Sequence, residues 1–156
     1  MKLDLTQFKD GVPEKVAKDL DAKQLDVEYV DLHYKTKIHV EGTAEKILST
    51  LIFRGVIDRT VEHICGRCLK SVDENVREPI DLTYDIKDLL EIDLLDDIRD
   101  ALLLAHPERF LCRPDCRGLC PSCGVNLNVE QCQCASRSES NPFSELKNWF
   151  KEKKNR

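Results

Sequence analysis

KTKIHVEGTAEKILSTLIFRGVIDRTVEHICGRCLK, residues 35–70, decides the fold. From Tyr34 onward apolar and polar residues alternate, with Ile38 and Val40 on one face of KTKIHVEG, and a period of two is that of a half-buried strand. Gly42 reads as a turn signal, and KILSTLIFRG and VIDRTVEHI follow as further strands of an antiparallel meander. Downstream, VREPIDLTYDI sets Val76, Ile80, Leu82, Tyr84 and Ile86 at even spacing, a further strand in which Pro79 suggests an edge position or a bulge.

Outward from this block the period changes. In IDLLDDIRDALLLAHP the residues Leu94, Leu95, Ile98, Ala101, Leu102 and Ala105 share one face of a 3.6-residue helix near 93–105. Asp93, Asp96 and Asp97 suit the positive end of its dipole, and Pro107 closes it. Towards the N-terminus the pattern is weaker, and Pro13 followed by EKVAKDL reads as the opening of a short helix. At the other end SESNPFSELKNWFKEKKNR gives an amphipathic basic helix over 141–156, with Asn141 as N-cap, Pro142 at its first position and Phe143, Leu146, Trp149 and Phe150 as its apolar stripe.

At 156 residues the chain fits one compact domain, or one domain with a small appendage. The expected class is α+β: an antiparallel β meander or partly open barrel with a packed helix, a cysteine-rich zinc-knuckle segment and a C-terminal helix. The expected organisation is an acidic strand-rich domain over 1–105, a metal segment over 106–140 clasped to Cys65 and Cys68, and the terminal helix. Residues 1–105 carry 15 Lys+Arg against 23 Asp+Glu, whereas residues 106–156 carry 9 against 6. An acidic whole opposes non-specific nucleic-acid binding through the general field of the protein, so any such contact is local. The start, MKLDLTQFKDG, has no apolar signal-peptide core, and no stretch approaches the roughly 18 apolar residues of a spanning helix. A cytoplasmic location, with no membrane partner, is the expectation.

That expectation governs the eight cysteines, because a reducing compartment keeps thiols free for metal binding or redox work. Six of them lie in CRPDCRGLCPSCGVNLNVEQCQC, residues 112–134. Cys65/Cys68 and Cys120/Cys123 are C-x2-C turns, Cys112/Cys116 is wider, and Cys132/Cys134 is the tightest pair. Zinc takes four such ligands in a tetrahedron, so eight thiols make two four-cysteine sites. Joining Cys120/Cys123 to Cys132/Cys134 closes the shorter loop and leaves Cys65/Cys68 for Cys112/Cys116. The competing arrangement joins the two C-x2-C turns as a ribbon-like site. Disulfides suit the even count but not the length or the missing export signal. An iron–sulfur cluster also takes four thiolates, yet the spacing is not that of the common ferredoxin runs. A thioredoxin-like C-x2-C wants a βαβ context, and here the pair stands between strands.

Four sulfur ligands leave no open coordination position, which disfavours catalysis at the metal. His33, His39, His63 and His106 show no metalloprotease spacing, and the acidic run 81–100 reads as a solvated face. The chain is therefore read as non-enzymatic and without a small-molecule substrate. Arg67, Lys70, Arg113 and Arg117 sit beside thiol ligands, where they offset anionic clusters. The candidate RNA-contacting residues are Arg67, Arg113, Arg117, Arg137, Lys147, Lys151, Lys153 and Lys154, with Trp149 and Phe150 able to stack on unpaired bases or to pack on the core.

Cys65-Gly66-Arg67-Cys68-Leu69, IDLLDDIRDALLLAHP, CRGLCPSCGVNLN, the Cys132/Cys134 pair and NPFSEL occur in that order between about residues 36 and 150. In this combination the chain resembles the YceD-like family, named for large ribosomal RNA subunit accumulation. The resemblance implies a factor for maturation or accumulation of the large-subunit (23S) ribosomal RNA. It implies as partners that RNA or a pre-ribosomal particle. A second reading is a protein-interaction adaptor whose acidic part binds a ribosomal protein or a processing nuclease without touching RNA.

Overall fold

A computed structural model describes residues 1–134 of the chain. The expected helix over 141–156, and with it Arg137, Lys147, Trp149, Phe150, Lys151, Lys153 and Lys154, lies outside the described residues. The chain divides into two compact units, residues 1–116 and residues 117 onward.

In the first unit the elements run β1 (Lys2–Asp4), β2 (Glu14–Leu20), α1 (Ala22–Leu25), β3 (Leu32–Tyr34), β4 (Ile38–Ile47), β5 (Thr50–Ile64), β6 (Ser71–Asp85), β7 (Glu91–Asp93) and α2 (Leu95–Ala105). β4, β5 and β6 form the expected meander. KILST contains the first hairpin turn, at Leu48 and Ser49, and LIFRG and VIDRTVEHI are one continuous strand, β5. One edge of β5 carries β4 along residues 50–58 and β3 along 61–63, while β6 covers its other edge over its whole length. β2 extends the sheet beyond β4. The sheet is antiparallel and open, and β6, the strand that carries Pro79, stands at its edge, where a residue without an N–H is tolerated. β1 and β7 pair separately, Lys2 opposite Asp93 through Asp4 opposite Glu91.

Two local expectations are corrected. EKVAKDL is strand β2, not a helix: it pairs with β4 from Glu14 opposite Ala44 to Leu20 opposite Ile38. Val16 and Leu20, its core-directed apolar residues, are four apart, a spacing that both a helix and a strand place on one face, so pattern alone is ambiguous and the β4 backbone decides. Gly42 is not a turn either. It lies mid-strand opposite Gly55.

The core joins Ile38, Val40 and Ala44 of β4, Leu51, Phe53 and Ile57 of β5, and Leu94, Ile98 and Leu102 along α2. α2 thus buries the stripe read from its sequence. Two polar bonds fix it further: the Arg99 Nε–H donates to the Leu25 carbonyl at 2.8 Å, at the C-terminal end of α1, and the Tyr84 hydroxyl donates to Asp97 Oδ2 at 2.5 Å. Partial burial raises the Tyr84 phenol pKa, and the neighbouring carboxylate raises it further, so the hydroxyl stays a donor. Tyr84→Phe, which leaves Asp97 without this partner, is expected to cost about 1–2 kcal/mol in urea denaturation. Unchanged stability would show the bond to be dispensable.

Candidate metal centres

The β5–β6 hairpin ends in Cys65-Gly66-Arg67-Cys68-Leu69-Lys70. Here the Cys65 N–H donates to the Lys70 carbonyl at 2.9 Å and the Leu69 N–H to the Cys65 carbonyl at 3.0 Å. In the second unit Cys120-Pro121-Ser122-Cys123-Gly124-Val125 repeats the pattern, with Cys120 N–H to Val125 O at 2.8 Å and Gly124 N–H to Cys120 O at 2.9 Å. The residue after the second cysteine is left-handed in both turns, φ +58° at Leu69 and +74° at Gly124. Glycine adopts that conformation without steric cost and leucine does not. Leu69, 64% exposed, has little packing to lose. Leu69→Gly is therefore expected to stabilise the first unit by about 0.5–1 kcal/mol, the relief of strain exceeding the added unfolded-state entropy. A lower melting temperature would contradict this.

These turns aim their thiols at two groups of four. Cys65, Cys68, Cys112 and Cys116 form one, and Cys120, Cys123, Cys132 and Cys134 the other, with all Sγ atoms of a group within 4.8 Å of one another. In the first, Cys65 Sγ lies 3.8 Å from Cys116 Sγ and Cys68 Sγ 3.6 Å from Cys112 Sγ. Metal–sulfur bonds of about 2.3 Å in a tetrahedron require an S···S edge of about 3.8 Å. A disulfide would require about 2.05 Å. The donor set and its spacing therefore fit one metal ion per group. This is the grouping that the shorter loop closure favours, and the ribbon-like arrangement is not formed.

The knuckle backbones also prepare the sulfurs for ionisation. Burial opposes it at Cys65, but N–H groups of Cys112, Cys68 and Arg67 point at the sulfur and, with the Cys68 thiol, lower its pKa to about 6. At Cys120 the N–H groups of Cys123 and Ser122 do the same, again to about 6. The last thiols resist. Burial and neighbouring sulfurs push Cys112 up to about 12, and its sulfur neighbours, Cys123 foremost, push Cys134 up to about 12. A metal ion binds thiolates, so filling either group at neutral pH releases protons.

Around the first group the Arg67 guanidinium donates to the Cys116 carbonyl at 2.8 Å, and the Gly66 N–H donates to the Phe110 carbonyl at 2.9 Å. Arg67 thus braces the cluster. Arg113 is exposed and pairs with Asp115 at 3.4 Å. In the second unit Arg117 is exposed, and its backbone N–H meets Asn128 Oδ1 at 2.8 Å. Asn126 Oδ1 in turn accepts from the Asn128 backbone and side-chain amides. These asparagines, which shape the loop leading to Cys132, are absent from the residues singled out by sequence. Their side-chain reach to backbone N–H groups is the usual signal of such a loop.

An open antiparallel sheet whose central hairpin ends in one of two four-thiol groups defines a cysteine-cluster protein with the donors for two ions. The family model described as "Large ribosomal RNA subunit accumulation protein YceD" matches residues 85–150. Over that segment the chain is similar to the YceD-like family. The match begins after Cys65 and Cys68 and is shorter than the span from about residue 36 suggested by the motifs. An uncharacterized protein of Mycobacterium tuberculosis is 32% identical over 109 residues, covering 60% of this chain and 51% of that protein. The large ribosomal RNA subunit accumulation protein YCED homolog 1, chloroplastic, of Zea mays is 42% identical over 62 residues, 39% of this chain and 21% of that protein. Its Arabidopsis thaliana counterpart is 34% identical over 58 residues, 37% and 18%. The chain spans about half the length of the mycobacterial relatives it matches. No solved structure matches it. No helix among the described residues is long and apolar enough to cross a membrane.

Proposed function

We propose that the chain is a non-enzymatic, zinc-binding factor for maturation or accumulation of large-subunit (23S) ribosomal RNA, working in the cytoplasm. The observation that carries this reading is the coincidence of the family match with two groups of four clustered thiols, one wholly within the matched segment and the other sharing Cys112 and Cys116 with it. Cys65, Cys68, Cys112 and Cys116 hold one zinc ion and Cys120, Cys123, Cys132 and Cys134 the other. With all four positions taken by sulfur, each ion shapes the chain rather than a reaction. The metal segment and the basic residues after it, with Arg113 and Arg117 exposed beside the clusters, provide the contact to RNA or to a pre-ribosomal particle. Arg67, itself exposed, is engaged with the Cys116 carbonyl and braces that surface.

The test is depletion of the protein with measurement of large- and small-subunit RNA, followed by rescue with the wild type and crosslinking in cells. Selective loss of large-subunit RNA, and crosslinks to it through residues 109–154, are expected. Unaltered large-subunit RNA overturns the proposal. Crosslinks confined to a basic protein and the acidic residues 1–105 replace RNA contact by the adaptor role.

A further inference from the structure

Along β5 the core-facing positions are Leu51, Phe53, Ile57, Arg59, Val61 and His63, so two polar side chains stand where the pattern calls for apolar ones. They are not exposed by that placement. The Arg59 side chain is 6% and the His63 side chain 7% accessible. Both line a partly open cavity of about 190 Å³ between β3, β5, β6, the end of α2 and the segment that follows it. That volume exceeds the roughly 150 Å³ that accommodates benzene inside a protein, yet falls below the roughly 300 Å³ at which drug-sized pockets begin. It suits one flat ring system.

The walls are built for such a ring. Tyr29 stacks on His106 with centroids 4.9 Å apart and planes 8° from parallel, and Phe110 stacks on His63 at 4.4 Å and 14°. His63 and His106 are nearly parallel, at 11°, with ring centroids 6.5 Å apart. Contact between carbon faces needs about 3.5–4.0 Å on each side, so the two histidine rings must part by at least about half an ångström to admit a flat ring. Carboxylates lie near the Nε2 edges, Glu74 Oε2 3.6 Å from His63 Nε2 and Asp31 Oδ1 3.6 Å from His106 Nε2. The other ring nitrogens have no such partner. Nδ1 of His63, Nδ1 of His106 and Nη1 of Arg59 are buried without a hydrogen-bond partner among the described residues. Buried polar atoms are ordinarily paired, and three orphans around one cavity point to a missing ligand.

Charge selects the ligand further. Arg59 already donates from Nη2 to Glu78 Oε2 at 2.8 Å, and Glu74 and Glu78 both line the cavity. The guanidinium charge is thus offset, and an entering phosphate would meet two carboxylates. A neutral acceptor such as a ring carbonyl oxygen meets the free Nη1–H without that penalty. Arginine donating to a base carbonyl is a common recognition pair.

We infer that this cavity binds one unpaired, carbonyl-bearing nucleobase, guanine, uracil or cytosine but not adenine, between the rings of His63 and His106, with its carbonyl oxygen on Arg59 Nη1 and its sugar-phosphate outside. The base comes from single-stranded RNA or from a free nucleotide. The first source deepens the ribosomal RNA reading and rests on it; the second does not. Phe110 is held to Gly66, inside the first cysteine group, so that group also holds one wall of the site.

The test uses the full chain and fluorescein-labelled hexaribonucleotides of uridine, of mixed guanosine and uridine, and of adenosine, read by anisotropy, with GMP and UMP titrated against histidine ring signals by NMR. The uridine and mixed oligomers are expected to bind at least tenfold more tightly than the adenosine oligomer. Arg59→Lys, which removes the Nη1 donor, and His106→Ala, which removes one stacking face, should each weaken binding by about tenfold. Shifts of the His63 and His106 ring signals with the mononucleotides identify a free nucleotide as sufficient, and shifts only with the oligomers identify RNA. If Arg59→Lys does not fold, as judged by circular dichroism, the less buried His106 (side chain 17% accessible) and the shift map decide. Absence of binding by every probe, equal affinity in both variants, or shifts that avoid His63 and His106 overturn the inference. Large-subunit RNA levels after depletion report on the family reading independently of all these results.

Discussion

If each four-thiol group holds one zinc ion, as proposed, Cys65→Ser is expected to reduce bound zinc from two ions per chain to one and to destabilise the first unit by at least about 4 kcal/mol. Cys65 is wholly buried, and its sulfur faces Cys116 at 3.8 Å. The paired thiols Cys68 and Cys112 are 44 residues apart, so an ion shared between them would close a long loop. Structural zinc in small domains contributes an apparent energy of about 10–16 kcal/mol at neutral pH, and this sheet has a core of its own, so a fraction of that is the expected loss. The remaining three thiols would bind a metal weakly or not at all. Metal analysis with calorimetric melting checks the result, and hydrogen exchange localises it to residues 108–116 and the hairpin tip. Two ions per chain with an unchanged melting temperature would show that this group is not a metal staple. The same substitution frees Phe110 from its Gly66 anchor and is expected to weaken nucleobase binding with it.

Gly42→Ala is the second large effect, at about 3–5 kcal/mol of destabilisation. A Cβ on Gly42 would sit 2.4 Å from the Arg54 carbonyl oxygen and 2.7 Å from the Gly55 Cα, both backbone atoms of the paired strand. Gly55→Ala meets the Glu41 carbonyl oxygen at 2.4 Å and is expected to behave alike. Backbone cannot step aside as a flexible side chain can, so the ladder itself must shift. Gly42 falls in phase with Ile38, Val40 and Ala44, and Gly55 with Phe53 and Ile57. The two strands approach each other there instead of burying side chains. Gly11 supplies the contrast: its φ of +70° favours glycine, but a Cβ would meet nothing within 4 Å. Gly11→Ala should therefore cost only about 1 kcal/mol. Urea denaturation of the three variants measures the difference, and equal losses would refute the close-approach argument.

The pattern of what was readable follows from the range of the forces involved. Leu94, Ile98 and Leu102 repeat at helical spacing, and α2 buries them as read. Ile38, Val40, Ile80, Leu82 and Tyr84 repeat at two, and β4 and β6 follow. Leu20 and Val16 satisfy both periods, so β2 needed its partner strand. Gly42 carried a turn signal by type, and only the opposing Gly55 explains why it is mid-strand.

The cysteine spacing alone determined that Cys65/Cys68 and Cys120/Cys123 sit on tight turns and that eight thiols are enough for two four-sulfur groups, because short C-x2-C geometry is local. The alternation of 35–64 likewise determined an antiparallel meander. Which pairs share a group, how closely Gly42 and Gly55 meet, and how Arg59, His63, His106 and Phe110 come to surround one cavity were decided by the tertiary structure. Each joins residues tens of positions apart, and the packing and loop closure that bring them together leave no periodic trace in the chain.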